Sequence, residues 1–391
     1  MVVITLKKGR DAAVKRFHPW VFSGAIHKIK GDVTDGSIVE VRDAKGNFLA
    51  LGHYQNGSIA VRLFAFNEVE LGLPFWEGKL QAALNYRQAI GIAKGEHTNS
   101  FRLVHAEGDG LPGLIIDIYN RNAIIQCHSI GMHKERAYIA EALLKVFGGE
   151  LDSIYDKSKE SLPRDYAATV QNEILHGIGT DTIITENGNQ FFVNWETGQK
   201  TGFFLDQRDN RQLLGTYAKG KSVLNTFCYS GGFSIYALNQ GATKVDSIDA
   251  SKKAMEWTDQ NVELSQSPDL HTSHVGDVMK FFKEDIPEYD LMIVDPPAFA
   301  KSFNKRHNAV QGYKRLNAAA LSKMKSGGIL FTFSCSQVVG RELFYNTITA
   351  AAIEARRHVK VMKFLSQPAD HPISLFHPEG EYLKGLVLYV E

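Results

Sequence analysis

Asp295 and Cys335 are side chains whose types could do covalent chemistry together, and both fall just beyond runs that read as strands. Asp295 opens Asp295-Pro296-Pro297 directly after the apolar run Leu291–Val294. Two prolines there can neither extend a strand's hydrogen bonding nor start a helix cleanly, which makes a rigid, exposed corner. A carboxylate at that corner can accept a hydrogen bond from the exocyclic amine of cytosine. The plainer alternative is a turn closed by a capping acid. Cys335 lies in Phe331-Thr-Phe-Ser-Cys-Ser-Gln337, at the end of the next strand candidate. A lone cysteine is by default a small buried hydrophobe. Flanked by serines at a strand end, its thiolate has the chemistry to add to an electron-poor pyrimidine ring. Leaving successive strand candidates, the two residues are expected to face one pocket.

A binding element precedes them. Lys221–Asp249 reads as a buried strand (Ser222–Thr226), a turn holding Gly231-Gly232, a helix (Phe233–Asn239) and a second strand (Lys244–Ile248) ending on Asp249. That is half of a nucleotide-binding βαβ unit, in which glycines admit a ligand close to the backbone and the terminal acid holds a ribose diol. There is no G-x-G-x-x-G, and no lysine is placed to meet a triphosphate. The pattern therefore suits an adenosine-containing ligand that is neither a dinucleotide nor ATP, against the alternative of a plain tight turn. A nicotinamide oxidoreductase is disfavoured for the same reason. Cys228, inside the loop, faces either ligand or core, and Cys127 is expected in the core.

The elements that position these residues alternate. After the opening unit come a helix (Lys252–Leu264), a short strand (His271–Val275) and a buried strand (Asp290–Val294). A helix closing over Asn317–Lys325 before Gly327-Gly328 leads to a strand (Ile329–Ser334), a helix (Glu342–Arg356) and strands at Val359–Phe364 and Lys384–Val390. This is the signature of a doubly wound α/β sheet, whose ligands bind at the carboxyl ends of the strands. Upstream, Asp206 is a candidate N-cap for a helix over Gln207–Tyr217. Residues 1–72 form a small β module with strands at Ile38–Val41, Phe48–Gly52 and Ile59–Phe64, and a proline at Pro19 bars helix around His18. Residues 73–190 read as an α+β segment with helices at Phe75–Ile92 and Lys134–Phe147, strands at Phe101–Val104, Leu114–Tyr119 and Ala123–His128, and a hairpin at Glu186–Asn189. Glu107 and Asp109, among glycines, are read as turn formers.

With 391 residues, 44% hydrophobic and 22% charged, the composition is that of an ordinary globular protein of two or three domains. No apolar run has the length of a membrane span and no leader is evident, so a cytoplasmic protein is expected. Three cysteines with no C-x-x-C pair exclude a disulfide framework and make a metal site unexpected. The net charge of +1 hides two basic clusters: Lys7, Lys8, Arg10, Lys15, Arg16, Lys28 and Lys30 against Asp11, and Lys301, Lys305, Arg306, Lys314 and Arg315 interleaved with Phe299, Phe303 and Tyr313. Each is either a solvated face or a surface for a polyanion.

Taken together, Asn225–Gly232, Asp249, Asp277, Asp295-Pro-Pro-Ala-Phe299 and Phe333-Ser-Cys-Ser336 resemble a class I S-adenosylmethionine-dependent methyltransferase. The resemblance is to the RlmI-like family, which methylates carbon-5 of a cytosine in large-subunit (23S) ribosomal RNA. It covers the whole chain. His18-Pro-Trp-Val-Phe-Ser-Gly24 is similar to the start of that family's N-terminal PUA domain, an RNA-binding β-barrel, and 73–190 correspond to its central α+β domain. Thr201–Arg208 and the tail His371-Pro372 with Glu381–Gly385 are also similar to its signatures, and 191–391 to its Rossmann-like methyltransferase domain.

The resemblance implies that Phe227, Tyr229, Ser230 and Gly231 wrap the methionine part of the cofactor. It implies that Asp249, followed by Ala250 and Ser251, holds the ribose, that Asp277 and Val278 meet the adenine, and that Gln207 approaches the cofactor. Asp295 would border cofactor and target base, and Cys335 would be the nucleophile. RNA would be the partner, helped by base stacking on the aromatics of Phe299–Tyr313 if the base is extruded, and a homodimer is compatible. A related RNA cytosine methyltransferase family carries a second cysteine after the Asp-Pro proline. Here that position is Pro297, so a second thiol cannot release the product. Methylation of a base nitrogen, and a non-catalytic RNA-binding or ribosome-assembly factor that keeps the fold, are the alternatives.

Overall fold

The computed structural model describes all residues except Lys94, Thr180, Asp181 and Lys301, so that one member of the second basic cluster lies outside the described residues. Two compact units emerge: Met1–Ile184 with Val193–Leu205 and Ala369–Gly380, and Thr185–Phe192 with Asp206–Pro368 and Glu381–Glu391.

The first unit holds two sheets. One is built from β1 (Val2–Leu6), β2 (Trp20–Phe22), β3 (Ile26–Lys30), β4 (Ile38–Arg42), β5 (Phe48–Tyr54) and β6 (Ile59–Ala65), in the order β2-β6-β5-β4-β1-β3, with a one-turn helix α1 (Ala12–Lys15) between β1 and β2. Alternation along β1 and β4 turns Ile4, Leu6, Val39 and Val41 into its core with Val61 and Leu63. The sequence reading placed no strand before Ile38. β1 and β3 are missed because Lys7 and Lys8 follow the first, Lys28 and Lys30 sit in the second, and the parallel pairing of β1 with β4 is long-range. These basic side chains face solvent.

The other sheet, in the order β11-β10-β9-β8-β7, comprises β7 (Ser100–His105), β8 (Leu114–Tyr119), β9 (Asn122–Cys127), β10 (Ser153–Asp156) and β11 (Glu173–Gly177). Helix α2 (Leu73–Ala89) begins two residues before the expected start, with Pro74 in its first turn, and buries Trp76, Leu80 and Leu84 in one cluster with Ile116 and Ile118. The helix expected over Lys134–Phe147 is α4 (Arg136–Val146), and a short helix α3 (Ile130–Lys134), capped by Ser129, precedes it. Asp109 is more than a turn former: its carboxylate pairs with fully buried Arg87, which also donates to the carbonyls of Arg102 (2.8 Å) and Asp370 (2.7 Å). A short helix α5 (Arg164–Ala167) precedes β11. The hairpin of β12 (Thr182–Glu186) and β13 (Asn189–Val193) turns on Asn187 and Gly188, both with positive φ, as an Asn-Gly turn requires.

In the second unit, α6 (Arg208–Ala218) leads into the large sheet. Its strands are β14 (Ser222–Thr226), β15 (Lys244–Asp249), β16 (His271–Val275), β17 (Tyr289–Val294), β18 (Met324–Ser334), β19 (Val359–Leu365) and β20 (Lys384–Val390), in the order β16-β15-β14-β17-β18-β20-β19. All neighbours are parallel up to β18, and β20 runs antiparallel to both β18 and β19. Helices α7 (Gly232–Asn239), α8 (Lys252–Val262), α9 (Val278–Phe281), α10 (Arg306–Ser322) and α11 (Arg341–Glu354) cross between strands, and Leu224, Met292, Val294, Leu330, Phe344 and Leu388 share one core.

Three expectations are corrected here. Asp206 does not cap α6. It lies in a turn of 3-10 helix over Leu205–Gln207 and accepts a hydrogen bond from Tyr382 Oη at 2.8 Å. Helix α10 (Arg306–Ser322) ends three residues before the expected Lys325. Gly327-Gly328 do not separate helix from strand but lie inside β18, which already pairs at Met324 with Tyr289 and is bulged before Leu291. Among the described residues no helix is long and apolar enough to cross a membrane.

Candidate active site

The order of the large sheet reverses at β14. Strands β15 and β16 are added on one side of it, β17 and β18 on the other, and ligands of such sheets sit at the carboxyl ends beside this switch point. Phe227–Gly232 follows β14, Asp295 follows β17, and Cys335 follows β18.

The first of these loops is strained and tied down. Phe227 (φ 56°) and Tyr229 (φ 51°) take left-handed conformations that cost an L-residue roughly 1–2 kcal/mol each, the kind of strain found where a loop holds a ligand. Gly231 (φ 80°) could not carry a side chain, because its Cβ would stand 2.9 Å from Thr258 Cγ2. Thr258 donates to the carbonyl of Tyr229 at 2.7 Å and Asn261 to that of Ser230 at 2.8 Å, so α8 fixes the loop backbone from behind. Cys228 faces the core rather than a ligand. It is buried against Met255 and Thr258, and burial pushes its thiol well above the usual range. Cys127 is likewise buried with its thiol pushed up.

Asp249, half-buried at the tip of β15, accepts from the amide of Tyr229 at 3.1 Å and from that of Ser251 at 2.9 Å. A carboxylate has about four lone-pair sites, so two remain for a diol. Ala250 is exposed, and the Ser251 hydroxyl is engaged as the N-cap of α8, accepting from the amide of Ala254 at 3.2 Å. Asp277 caps α9 through the amide of Lys280 at 2.9 Å while its side chain stays exposed, and Val278 is buried. These loops bring together close backbone, an acid with free lone pairs and a second exposed acid at neighbouring strand ends. That set could hold an adenosyl group.

Asp295 and Cys335 leave adjacent parallel strands, in register at Val294 and Thr332. Gln207 is buried, and its amide donates to Asp295 Oδ2 at 2.8 Å while its carbonyl accepts from Asn210 at 2.6 Å. Its hydrogen bonds thus hold the acid. Cys335 is half-buried, between the buried Ser334 and Ser336. Two nearby groups have roles the sequence does not announce: Tyr313, expected only as a stacking aromatic, whose hydroxyl is 3.1 Å from Ser336 Oγ, and Lys384, which donates to the Ser336 carbonyl at 2.8 Å. A signal for the second existed, a lysine opening an otherwise apolar strand.

The stacking expectation is corrected in part. Tyr313 is fully buried, and Phe299 packs on it with ring centroids 4.6 Å apart, so neither offers a free face on that side. Phe303 is 72% exposed, with the guanidinium of Arg306 5.7 Å from its ring centroid. Lys314 pairs with Glu354 at 2.7 Å, whereas Lys305, Arg306 and Arg315 face solvent. In the first unit His18, His377 and Glu379 converge, but the amide of Trp20 donates to His18 Nδ1 at 3.2 Å. His18 Nε2 stands 3.6 Å from the Glu379 carboxylate.

Comparison with known proteins accounts for this arrangement. A PUA-like domain matches residues 4–66, and an S-adenosylmethionine-dependent methyltransferase domain matches 159–374. The chain is 38% identical over 395 residues to the ribosomal RNA large subunit methyltransferase I of Aeromonas hydrophila, covering 98% of each chain. It is 37% identical over 394 residues to the protein of that name from Alteromonas mediterranea, covering 99% of this chain and 98% of the relative. The chain belongs to this methyltransferase family. A candidate SAM-dependent methyltransferase from Streptococcus mutans shares the fold at TM-score 0.83 and 22% identity over the whole of both chains. A second candidate methyltransferase, solved with SAH, does so at TM-score 0.84 and 22% identity, again over both whole chains. The family uses S-adenosylmethionine as methyl donor.

Proposed function

We propose that this enzyme methylates carbon-5 of a cytosine in large-subunit (23S) ribosomal RNA through a covalent adduct with Cys335, and that it works in the cytoplasm. The observation that carries the reading is the pairing of β17 with β18, which brings an acid and a half-exposed thiol to adjacent strand ends beside the loop after β14. Relatives named for large-subunit ribosomal RNA, and a PUA-like match over 4–66 with exposed basic residues, support RNA as the polymer. Residues 1–72 would bind RNA, 73–190 would form a central domain, and 191–391 would hold the donor and the target base.

S-adenosylmethionine, when bound, supplies an electrophilic methyl group. Phe227, Tyr229, Ser230 and Gly231 would enclose its methionine part, with Asp249, Ala250 and Ser251 at the ribose and Asp277 and Val278 at the adenine. The Cys335 thiolate adds to carbon-6 of the cytosine, breaking the 5,6 double bond and making carbon-5 nucleophilic. Asp295, held by Gln207, accepts from the exocyclic amine and fixes the ring. Once carbon-5 is methylated its proton is removed, the double bond re-forms and Cys335 leaves as thiolate.

The test is Cys335→Ala together with RNA carrying 5-fluorocytidine, whose carbon-5 has no proton to lose. The wild type should form a stable protein–RNA adduct and the variant should neither methylate nor crosslink. Full methylation by Cys335→Ala would favour chemistry on a base nitrogen instead.

A further inference from the structure

Lys384 opens β20 with its Cα paired to that of Ser334, the residue before Cys335, and its Nζ donates at 2.8 Å to the carbonyl of Ser336, the residue after it. Lys384 is only 3% exposed. Among the described residues no carboxylate is in ion-pair contact with it. Glu381, the nearest acid on its own segment, is taken by Arg341 of α11, whose Nε donates to it at 3.1 Å. A buried ammonium with one carbonyl partner and no anion is unfavourable unless a negative charge forms beside it.

We propose that Lys384 is the positioning cation of Cys335, its ammonium holding the thiol in the thiolate form at neutral pH. The titration of the lysine agrees with this geometry. Burial brings Lys384 down to about 8, while Cys335 and then Glu381 pull it up and Arg341 pushes it down. From α10 the Tyr313 hydroxyl faces the same segment; burial raises its pKa, hydrogen bonding to Ser334 and Ser336 lowers it, and the charge at Cys335 raises it. The thiol proton goes to solvent and Lys384 keeps its own, so nothing is consumed and the thiolate is regenerated on elimination. As Lys384 loses its proton near pH 8 the ion pair is lost, setting an alkaline limit on this activation. The functional meaning rests on Cys335 being the nucleophile; the ion pair itself does not.

The experiment is the pH dependence of iodoacetamide alkylation of Cys335 in the full-length protein, read by mass spectrometry of its peptide, Cys127 and Cys228 being buried. The wild-type midpoint should lie at least about one unit below the ~8.5 of a free thiol. In Lys384→Met it should rise by about a unit or more. Methylation at pH 7 should then fall by about ten-fold, the gap narrowing as pH rises. Lys384→Arg should restore the low midpoint. Calorimetric binding of S-adenosylmethionine checks that the variants fold. A Lys384→Met midpoint equal to wild type, or a methylation loss that is the same at every pH, overturns the proposal. A wild-type midpoint at or above ~8.5 overturns it without any variant. Full methylation by Cys335→Ala would instead sink the nucleophile and leave the alkylation result standing.

Discussion

Gln207 donates its side-chain amide to Asp295 at 2.8 Å and accepts from Asn210 at 2.6 Å, so the acid at the end of β17 is oriented by the segment that precedes the sheet. A hydrogen bond to a charged group is worth about 1.5–3 kcal/mol. Gln207→Ala is therefore expected to lower kcat/KM for RNA by about 10–100-fold, while S-adenosylmethionine affinity, measured by calorimetry, changes little. The opposite pattern, weakened cofactor binding with kcat intact, would return Gln207 to the cofactor.

Asp249 and Ser251 separate in the same way. Asp249→Ala removes the acid proposed for the ribose and frees the amides of Tyr229 and Ser251. Cofactor affinity should fall by about ten-fold or more, equivalent to at least ~1.4 kcal/mol. Ser251→Ala removes a helix cap and should cost about 1 kcal/mol of stability with cofactor affinity nearly unchanged. Equal affinities in wild type and Asp249→Ala, by titration calorimetry, would contradict the assignment.

Much of this site was legible because strand ends in an α/β sheet announce themselves. Asn225–Gly232, Asp249, Asp295 and Cys335 each follow a short apolar run, and all four strands appear within a few residues of the expected bounds. What was not legible depends on pairing at long range. Lys384 is 49 residues beyond Cys335, and only the antiparallel register of β18 with β20 brings them together. The glycines inside β18 read as a break because glycine is a poor strand residue, and pairing with β17 and β20 overrides that preference. The basic β1 and β3 were hidden for a similar reason, since their stability comes from partners and not from their own composition.

Glu186 and Arg211 form a buried bidentate pair at 2.6 and 2.8 Å, with Tyr236 also donating to the carboxylate. Removing one partner strands the other charge in the interior. Glu186→Ala is expected to lose about 3–5 kcal/mol in denaturant unfolding. A loss below ~1 kcal/mol would show that water reaches Arg211.

His53 in the first unit is buried with neither ring nitrogen hydrogen-bonded, packed against Phe64 and so close to Gly131 that a Cβ there would clash. Burial lowers its pKa from 6.5 to about 3, with Lys134 and Arg62 adding to the shift. Below pH 6.5 the unfolded chain takes up a proton that the folded chain refuses, so stability contributed by neutral His53 is lost as pH falls toward 3. The slope is up to about 1.4 kcal/mol per pH unit. His53→Leu should flatten the acid limb of the stability profile by that amount, and an unchanged limb would show that His53 does not titrate there.

The central claim is tested most directly by mass spectrometry of nuclease digests of large-subunit ribosomal RNA from a strain lacking this protein. One cytosine should lose a single methyl group, restored by the wild-type chain and not by Cys335→Ala. Unchanged methylation at every cytosine would contradict the account.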